Sequence, residues 1–311
     1  MTASRPWSRA GSAPCCWRKT TTGRSAHPIH DPGPPRRARR WPEPDVPLID
    51  APSCPSYKGG IPFRHGGSWR AAPLQEPKVR LSRIRKVMGI AARPGLWPAL
   101  AQGVAATVDH DAVLRDQRFA TILDVGANKG QFAAYALWRW PQARLVCFEP
   151  LPGPRARLAA VTRGAAEIQA CALGTADADA LIHVASRADS SSMLPLGDRQ
   201  KSLFDMDEVG TLRVPVRRLD ACVSPGLARP ALLKIDVQGY ELEVLKGATG
   251  VLPEIDAVYV EVSYEELYVQ QALAADVIGF LDAAGFSASR FLSGVKTDET
   301  VVQQDILFTR R

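Results

Sequence analysis

The chain has 311 residues, 46% of them hydrophobic, with a formal charge of +7; that is enough apolar material for one large domain or two average ones. The charge is uneven: residues 1–90 carry 17 Lys and Arg against 5 Asp and Glu, and the rest carries 22 against 27. The basic character therefore belongs to the front of the chain, and a nucleic-acid-binding reading of the whole is not supported by it.

Residues 1–78 hold 14 of the 25 prolines and are rich in Gly, Ser and Arg. They show no sustained period and too little apolar surface to offset ordering entropy, so they are expected to form a disordered basic tail. "RRARR" (Arg36–Arg40) is followed by "WPEPDVPLID", which lacks the apolar stretch of an export signal. No run of about 18 apolar residues occurs, so no membrane span is expected. The six cysteines show no CxxC spacing and histidine is scarce, which argues against zinc. Cys147, Cys171 and Cys222 lie in apolar surroundings and read as thiols of a reducing, cytoplasmic compartment.

Residues 79–118 form the expected helical lead-in. "VRLSRIRKVMGI" and "LWPALAQGVAATVDHDAVL" carry apolar residues at three-to-four spacing. From residue 119 to 311 strand and helix alternate. "TILDVG" reads as a strand, "KGQFAAYALWRW" as a helix, "ARLVCFEP" as a strand, "GPRARLAAVTR" as a helix and "AEIQACAL" as a third strand. "ALIHVAS" and "TLRVPVRRL" are strands around a polar loop. "ALLKID", "GYELEVLKGA", "IDAVYVEV" and "QQALAADVIGFLDAAG" repeat the alternation, and "FSASRFLS" and "VVQQDILFTR" close the chain as an antiparallel pair. Continuous apolar strands separated by helices predict an α/β fold, a mostly parallel sheet with helices on both faces.

In such a sheet ligands sit beyond the carboxyl ends of the strands. "DVGANKG" (Asp124–Gly130) ends the first strand. It is neither the G-x-G-x-x-G of dinucleotide binders nor the G-x-x-x-x-G-K-[ST] of the phosphate loop. A tight turn preceded by a carboxylate suits a cationic ligand better than a polyanion. Glu149 ends the second strand 23 positions after Gly126, where an acid accepts hydrogen bonds from ribose hydroxyls. A nucleoside bearing positive charge and no phosphate meets both conditions, and S-adenosylmethionine is such a molecule.

"DVGANKGQF", "CFEPLP", "LKIDVQGYELEVLKGA" and "VYVEV", in that order, resemble the FkbM family of S-adenosylmethionine-dependent methyltransferases. The resemblance covers about residues 121–308. It implies the class I methyltransferase, Rossmann-like fold, with a seven-stranded sheet containing one antiparallel strand. It also implies O-methyl transfer to a hydroxyl of a small molecule, sugar or glycolipid-type acceptor. Asp124, Gly126, Ala127, Asn128 and Gly130 would line the methionine part of the cofactor, Glu149 would hold the ribose, and Cys171 and Ala172 would lie near the adenine.

Asp236, at the tip of the fourth strand, is either an acceptor-positioning or base residue or a cap for the next helix. Glu261, ending the fifth, is placed to contact the acceptor. His110 is either a base carried over the site by the lead-in or a packed core histidine. Lys234, inside a buried strand, requires a carboxylate partner. No dedicated metal-ligand cluster is evident. An NAD(P)-dependent oxidoreductase on a related sheet is the rival reading, and it lacks its glycine fingerprint. A nucleic-acid-modifying protein is the other; "DVQG" stands where a base-methylating tetrapeptide would follow the fourth strand.

Overall fold

A computed structural model describes residues 88–297 and 300–311; the expected tail, residues 1–78, lies outside the described residues. Eleven strands are present among them. They are β1 (Thr121–Val125), β2 (Arg144–Phe148), β3 (Glu167–Gln169), β4 (Ala172–Leu173), β5 (Ala178–Ala185), β6 (Glu208–Arg217), β7 (Ala231–Ile235), β8 (Ala257–Ser263), β9 (Phe286–Phe291), β10 (Val295–Thr297) and β11 (Thr300–Arg310). The helices that matter here are α1 (Gln131–Arg139), α2 (Pro152–Thr162), α3 (Asp198–Phe204), α4 (Glu241–Lys246) and α5 (Ala274–Ala283).

The main sheet runs β10-β11-β8-β7-β1-β2-β3, with β9 also pairing to β11. β1, β2, β3, β7 and β8 are parallel, and β11 is antiparallel to β8. This is the expected class I methyltransferase sheet, with a correction to the count: it has eight strands, because the last hairpin contributes β9 and the short β10 on either end of β11. The sheet reverses its order between β1 and β7, so the ends of those strands open onto a crevice.

Every residue of β1 and β7 is buried, and both are apolar apart from Thr121, Asp124 and Lys234. Their side chains alternate between two cores. Leu123, Val125, Leu233 and Ile235 pack on one face with α4 and α5. Ile122 and Leu232 pack on the other with α1, α2 and the lead-in residues Ile90, Leu96, Val104 and Val113.

Two expectations are corrected. "AEIQACAL" is not one strand: β3 stays in the main sheet, and β4 joins a separate three-stranded sheet, β4-β6-β5. "LWPALAQGVAATVDHDAVL" is a series of short helical turns and not one continuous helix: Pro94–Leu96, Trp97–Ala101, Val108–His110 and Asp111–Leu114; of "VRLSRIRKVMGI", residues 88–90 are helical and the rest lies outside the described residues. Gly103, at φ +73°, ends the second of these, and an irregular stretch follows to Thr107. The polar loop between β5 and β6 contains α3, whose seven residues are too few to show a period.

Candidate active site at the strand ends

The glycines of "DVGANKG" serve packing first. Gly126 has φ +78°, and a Cβ there would collide with the carbonyl oxygen of Asp236. Two strand ends, of β1 and β7, thus approach within backbone contact. Gly130, at φ +90°, precedes α1 and lies against Leu158 and Val161 of α2. The turn between them is completed by Asn128, which adopts φ +48° and whose side-chain oxygen accepts the N–H of Lys129 at 2.7 Å.

The turn forms one wall of a cavity of about 900 Å³, open mouth included, within the size range of small-molecule sites. Gly126, Ala127, Asn128 and Glu149 line it beside Leu151, Cys171, Ala172, Leu173 and Ile182; His110, Gln131, Asp236 and Gln238 line it too. Six of the eight residues expected at the cofactor are therefore together. Two are not. Asp124 is fully buried beneath the turn, and Gly130 is taken up by its contact with α2.

Glu149 is 5% exposed. Its Oε1 accepts the N–H of Leu151 at 2.7 Å, and its Oε2 accepts the N–H of Asn128 at 2.8 Å. Burial raises its pKa, and those two backbone donors partly oppose the rise. A carboxylate has about four lone-pair positions. Each oxygen here keeps one for a ligand, which is the arrangement that a vicinal diol fills.

Behind this wall runs a row set by strand register. Asp124 of β1 faces Lys234 of β7, which faces Tyr259 of β8. Lys234 Nζ is 3.2 Å from Asp124 Oδ1 and 3.5 Å from Asp236 Oδ2, which supplies the partner its burial demands. Burial pushes the Asp124 carboxyl up, and Lys234 opposes it. Burial works against a charged Lys234, and Asp124 and Asp236 more than offset it, so its pKa is raised. His110 sits above the row. Its Nδ1 is 2.8 Å from Tyr259 Oη, and its ring meets Phe132, Tyr135 and Tyr259 edge-on.

The next row holds Asp236, Glu261 and Asp305, the last two opposite each other in the β8–β11 register. Glu261 does not line the cavity, contrary to expectation. Gln238 covers it: one amide nitrogen donates to both Asp236 Oδ1 and Glu261 Oε2, each at 2.9 Å. Gln303 donates to the same Glu261 oxygen at 3.2 Å. Burial, then the charge of Asp236, raises Glu261 well above the usual carboxyl range, and burial pushes Asp305 up to about 7.

Asp236 does not cap α4. That helix begins at Glu241, whose own Oε1 accepts the N–H groups of Val237 and Gly239 at 3.2 and 3.0 Å. Gln238, which no local pattern marked, holds the loop at φ +58°; its carbonyl accepts the hydroxyl of Ser192 at 2.6 Å. Among the described residues no cluster of His, Cys, Asp and Glu fits a metal ion, and no helix is long and apolar enough to cross a membrane.

A family model described as the methyltransferase FkbM domain matches residues 124–288, just over half of the chain. The chain is similar to the AMB antimetabolite synthetase AmbE of Pseudomonas aeruginosa, 35% identical over 160 residues, covering 41% of this chain and 8% of that one. It is also similar to the 2-O-methyltransferase NoeI of Sinorhizobium fredii, 30% identical over 191 residues, covering 57% and 76%. Among solved structures, a TehB-like methyltransferase from Corynebacterium glutamicum aligns at a TM-score of 0.36 and 11% identity, over 76% of this chain and all of that one.

Proposed function

The chain belongs to the FkbM methyltransferase family, and from that premise we propose that it moves the methyl group of S-adenosylmethionine to a hydroxyl oxygen of a small-molecule, sugar or glycolipid-type acceptor. The observation that carries the donor assignment is Glu149: a buried carboxylate in the cavity wall with one backbone N–H on each oxygen and a lone pair left on each. Leu151, Leu173 and Ile182 give the same end of the cavity apolar walls suited to a purine. NoeI is a 2-O-methyltransferase by name, and that name supports a hydroxyl acceptor here.

When bound, S-adenosylmethionine supplies an electrophilic methyl on a positively charged sulfur. Glu149 and the Asn128 turn fix the nucleoside, so that alignment supplies much of the acceleration. Asp236 and His110 also line the cavity, Asp236 directly beside Gly126 of the turn. A proton leaving the acceptor hydroxyl is assigned to one of them as general base. Asp236 is held for this by Gln238 on one oxygen and Lys234 on the other.

Calorimetric titration with S-adenosylmethionine, S-adenosylhomocysteine and NADH tests the donor. Micromolar binding of the two sulfur nucleosides and none of NADH is expected, with at least a tenfold loss in Glu149→Ala. Unchanged affinity in that variant removes the assignment. Methyl-labelled donor incubated with panels of sugars, glycolipids and simple phenols then tests the acceptor class. Label appearing on nitrogen or carbon only would overturn the hydroxyl reading.

A further inference from the structure

His110 and Asp236 both line the cavity, and the hydrogen bonding behind them divides their work. His110 closes the short turn Val108–His110, and its backbone N–H donates to the carbonyl of Thr107 at 3.2 Å. Its ring stands edge-on to Phe132, Tyr135 and Tyr259, at centroid distances of 5.5, 6.1 and 5.3 Å. Three aromatic neighbours hold the plane of the imidazole.

Tyr259 sets which nitrogen carries the proton. It is 1% exposed, and burial, then the charge of Asp305, pushes its pKa up, so the phenol keeps its hydrogen. A buried O–H needs an acceptor. Among the described residues Tyr259 Oη has one hydrogen-bond partner, His110 Nδ1 at 2.8 Å. The phenol therefore donates and Nδ1 accepts, which in a neutral imidazole puts the ring proton on Nε2. The opposite arrangement, Nδ1–H donating to the phenol oxygen, strands the phenol proton in the interior.

An imidazole in that state has no lone pair at Nε2 with which to take a proton. Asp236 is its complement. Its Oδ1 accepts from Gln238 at 2.9 Å and its Oδ2 lies 3.5 Å from Lys234 Nζ; a carboxylate has about four lone-pair positions, so each oxygen keeps one. Both groups are braced by one neighbour. Lys234 faces Tyr259 in the β7–β8 register, and its Nζ is 5.6 Å from the Phe132 ring that His110 also meets.

We propose that His110 and Asp236 hold the acceptor hydroxyl from two sides. Asp236 takes its proton, and the Nε2–H of His110, oriented by Tyr259, donates to one lone pair and leaves the other for the methyl group. The C–O bond forms as the C–S bond breaks. The electron pair of the broken bond stays on sulfur, which becomes a neutral thioether, and the hydroxyl proton ends on Asp236. Tyr259 is a positioning residue that acts through His110. The roles rest on the methyl-transfer reading above; the tautomer does not.

The tautomer is read without substrate, by nitrogen NMR of the full chain labelled with 15N-histidine, at about pH 8, above the ordinary imidazole range. The His110 signals are identified by their loss in His110→Gln. Nδ1 should be the bare nitrogen and Nε2 the protonated one, and Tyr259→Phe should relax this toward a mixture. A proton on Nδ1 in the parent would overturn the proposal, and an unchanged spectrum in Tyr259→Phe would remove the role of Tyr259. The labelled-donor panel then reads the division of work. Asp236→Asn should lose about a hundredfold or more in kcat. His110→Gln, whose amide N–H stands in for Nε2–H, should stay within about tenfold of the parent in kcat and raise the acceptor KM, and His110→Leu should lose more. A kcat loss in His110→Gln as large as in Asp236→Asn, at unchanged acceptor KM, would make His110 the base and overturn the division. A parent that labels no acceptor would count against the methyl-transfer reading instead, and the tautomer would still stand or fall by its spectrum.

Discussion

Two sheets wall the cavity, and they are built by different rules. Toward the carboxyl ends of the central strands of the main sheet, strand register stacks charged groups: Asp124 and Lys234 in one row, Asp236, Glu261 and Asp305 in the next. Nearly every one of these has an assigned partner. In the three-stranded sheet, Ile182, Val214 and Val216 pack inward with Leu151 and Ala172, while Val209 is 65% exposed and Leu181 and Leu212 are also exposed. The first sheet is constrained on both faces and the second on one. Chemistry that needs fixed charge belongs to the first, and the second supplies apolar shape.

The sharpest way to break that contrast is Lys234→Met. Lys234 and Asp124 are both buried, and removing one partner leaves the other as an uncompensated charge. A loss of about 3–5 kcal/mol is expected in denaturant unfolding. Adding Asp124→Leu to that variant should recover much of it, because the stranded charge goes too. A loss below 1 kcal/mol in the single variant would mean that the row does not hold the central strands together.

Ile182→Ala tests the other sheet where it meets the cavity. Truncation should cost about 2 kcal/mol, the low end for a buried isoleucine, because its cluster is small. It should also weaken S-adenosylhomocysteine binding, since Ile182 lines the site. A stability loss with unchanged affinity would separate the small sheet from the ligand.

Most strands of both sheets were legible in the sequence, because strands buried on two faces are largely apolar runs and β5 and β6 are bounded by turn residues; the short β10 (Val295–Thr297) was not. Glu149 was legible by its distance from Gly126, and Lys234 by the need for a partner. The rest was hidden for physical reasons. "AEIQACAL" carries no mark at the point where the chain leaves one sheet for another. Glu261, expected at a strand end, lies two residues short of the end of β8, and Gln238 from a separate loop screens it from the cavity.

A smaller effect follows from the buried acids. Glu241 and Asp305 both lie near 7 in the folded protein, chiefly through burial. Between the unfolded carboxyl range and about pH 7 the folded chain therefore holds protons that the unfolded chain has released. Their contribution is present in full at low pH and is lost as pH rises through 7. Stability should fall over pH 5–7, by up to about 1.4 kcal/mol per pH unit for each group. Glu241→Gln keeps an oxygen for the Val237 and Gly239 N–H groups and removes one titration. Its unfolding free energy, followed across that window, should slope less steeply; an unchanged slope would assign the protons elsewhere.

The smallest effect is expected at Val209. It lies in β6 where the register with β5 slips, so Gly210 and Glu208 have strand partners and Val209 has none. Its side chain faces solvent. Val209→Ser removes β-branched bulk that packs against little, and a change within about 0.5 kcal/mol is expected, with S-adenosylhomocysteine affinity untouched. The two sheets predict opposite sensitivities at this point: a substitution of comparable size in the row of Lys234 and Tyr259 has no exposed face to absorb it. If Val209→Ser costs more than 1 kcal/mol, or shifts affinity, then the outer face of the small sheet is covered in solution and carries packing of its own. The contrast between a doubly constrained and a singly constrained sheet would then fail at the position chosen to show it most clearly.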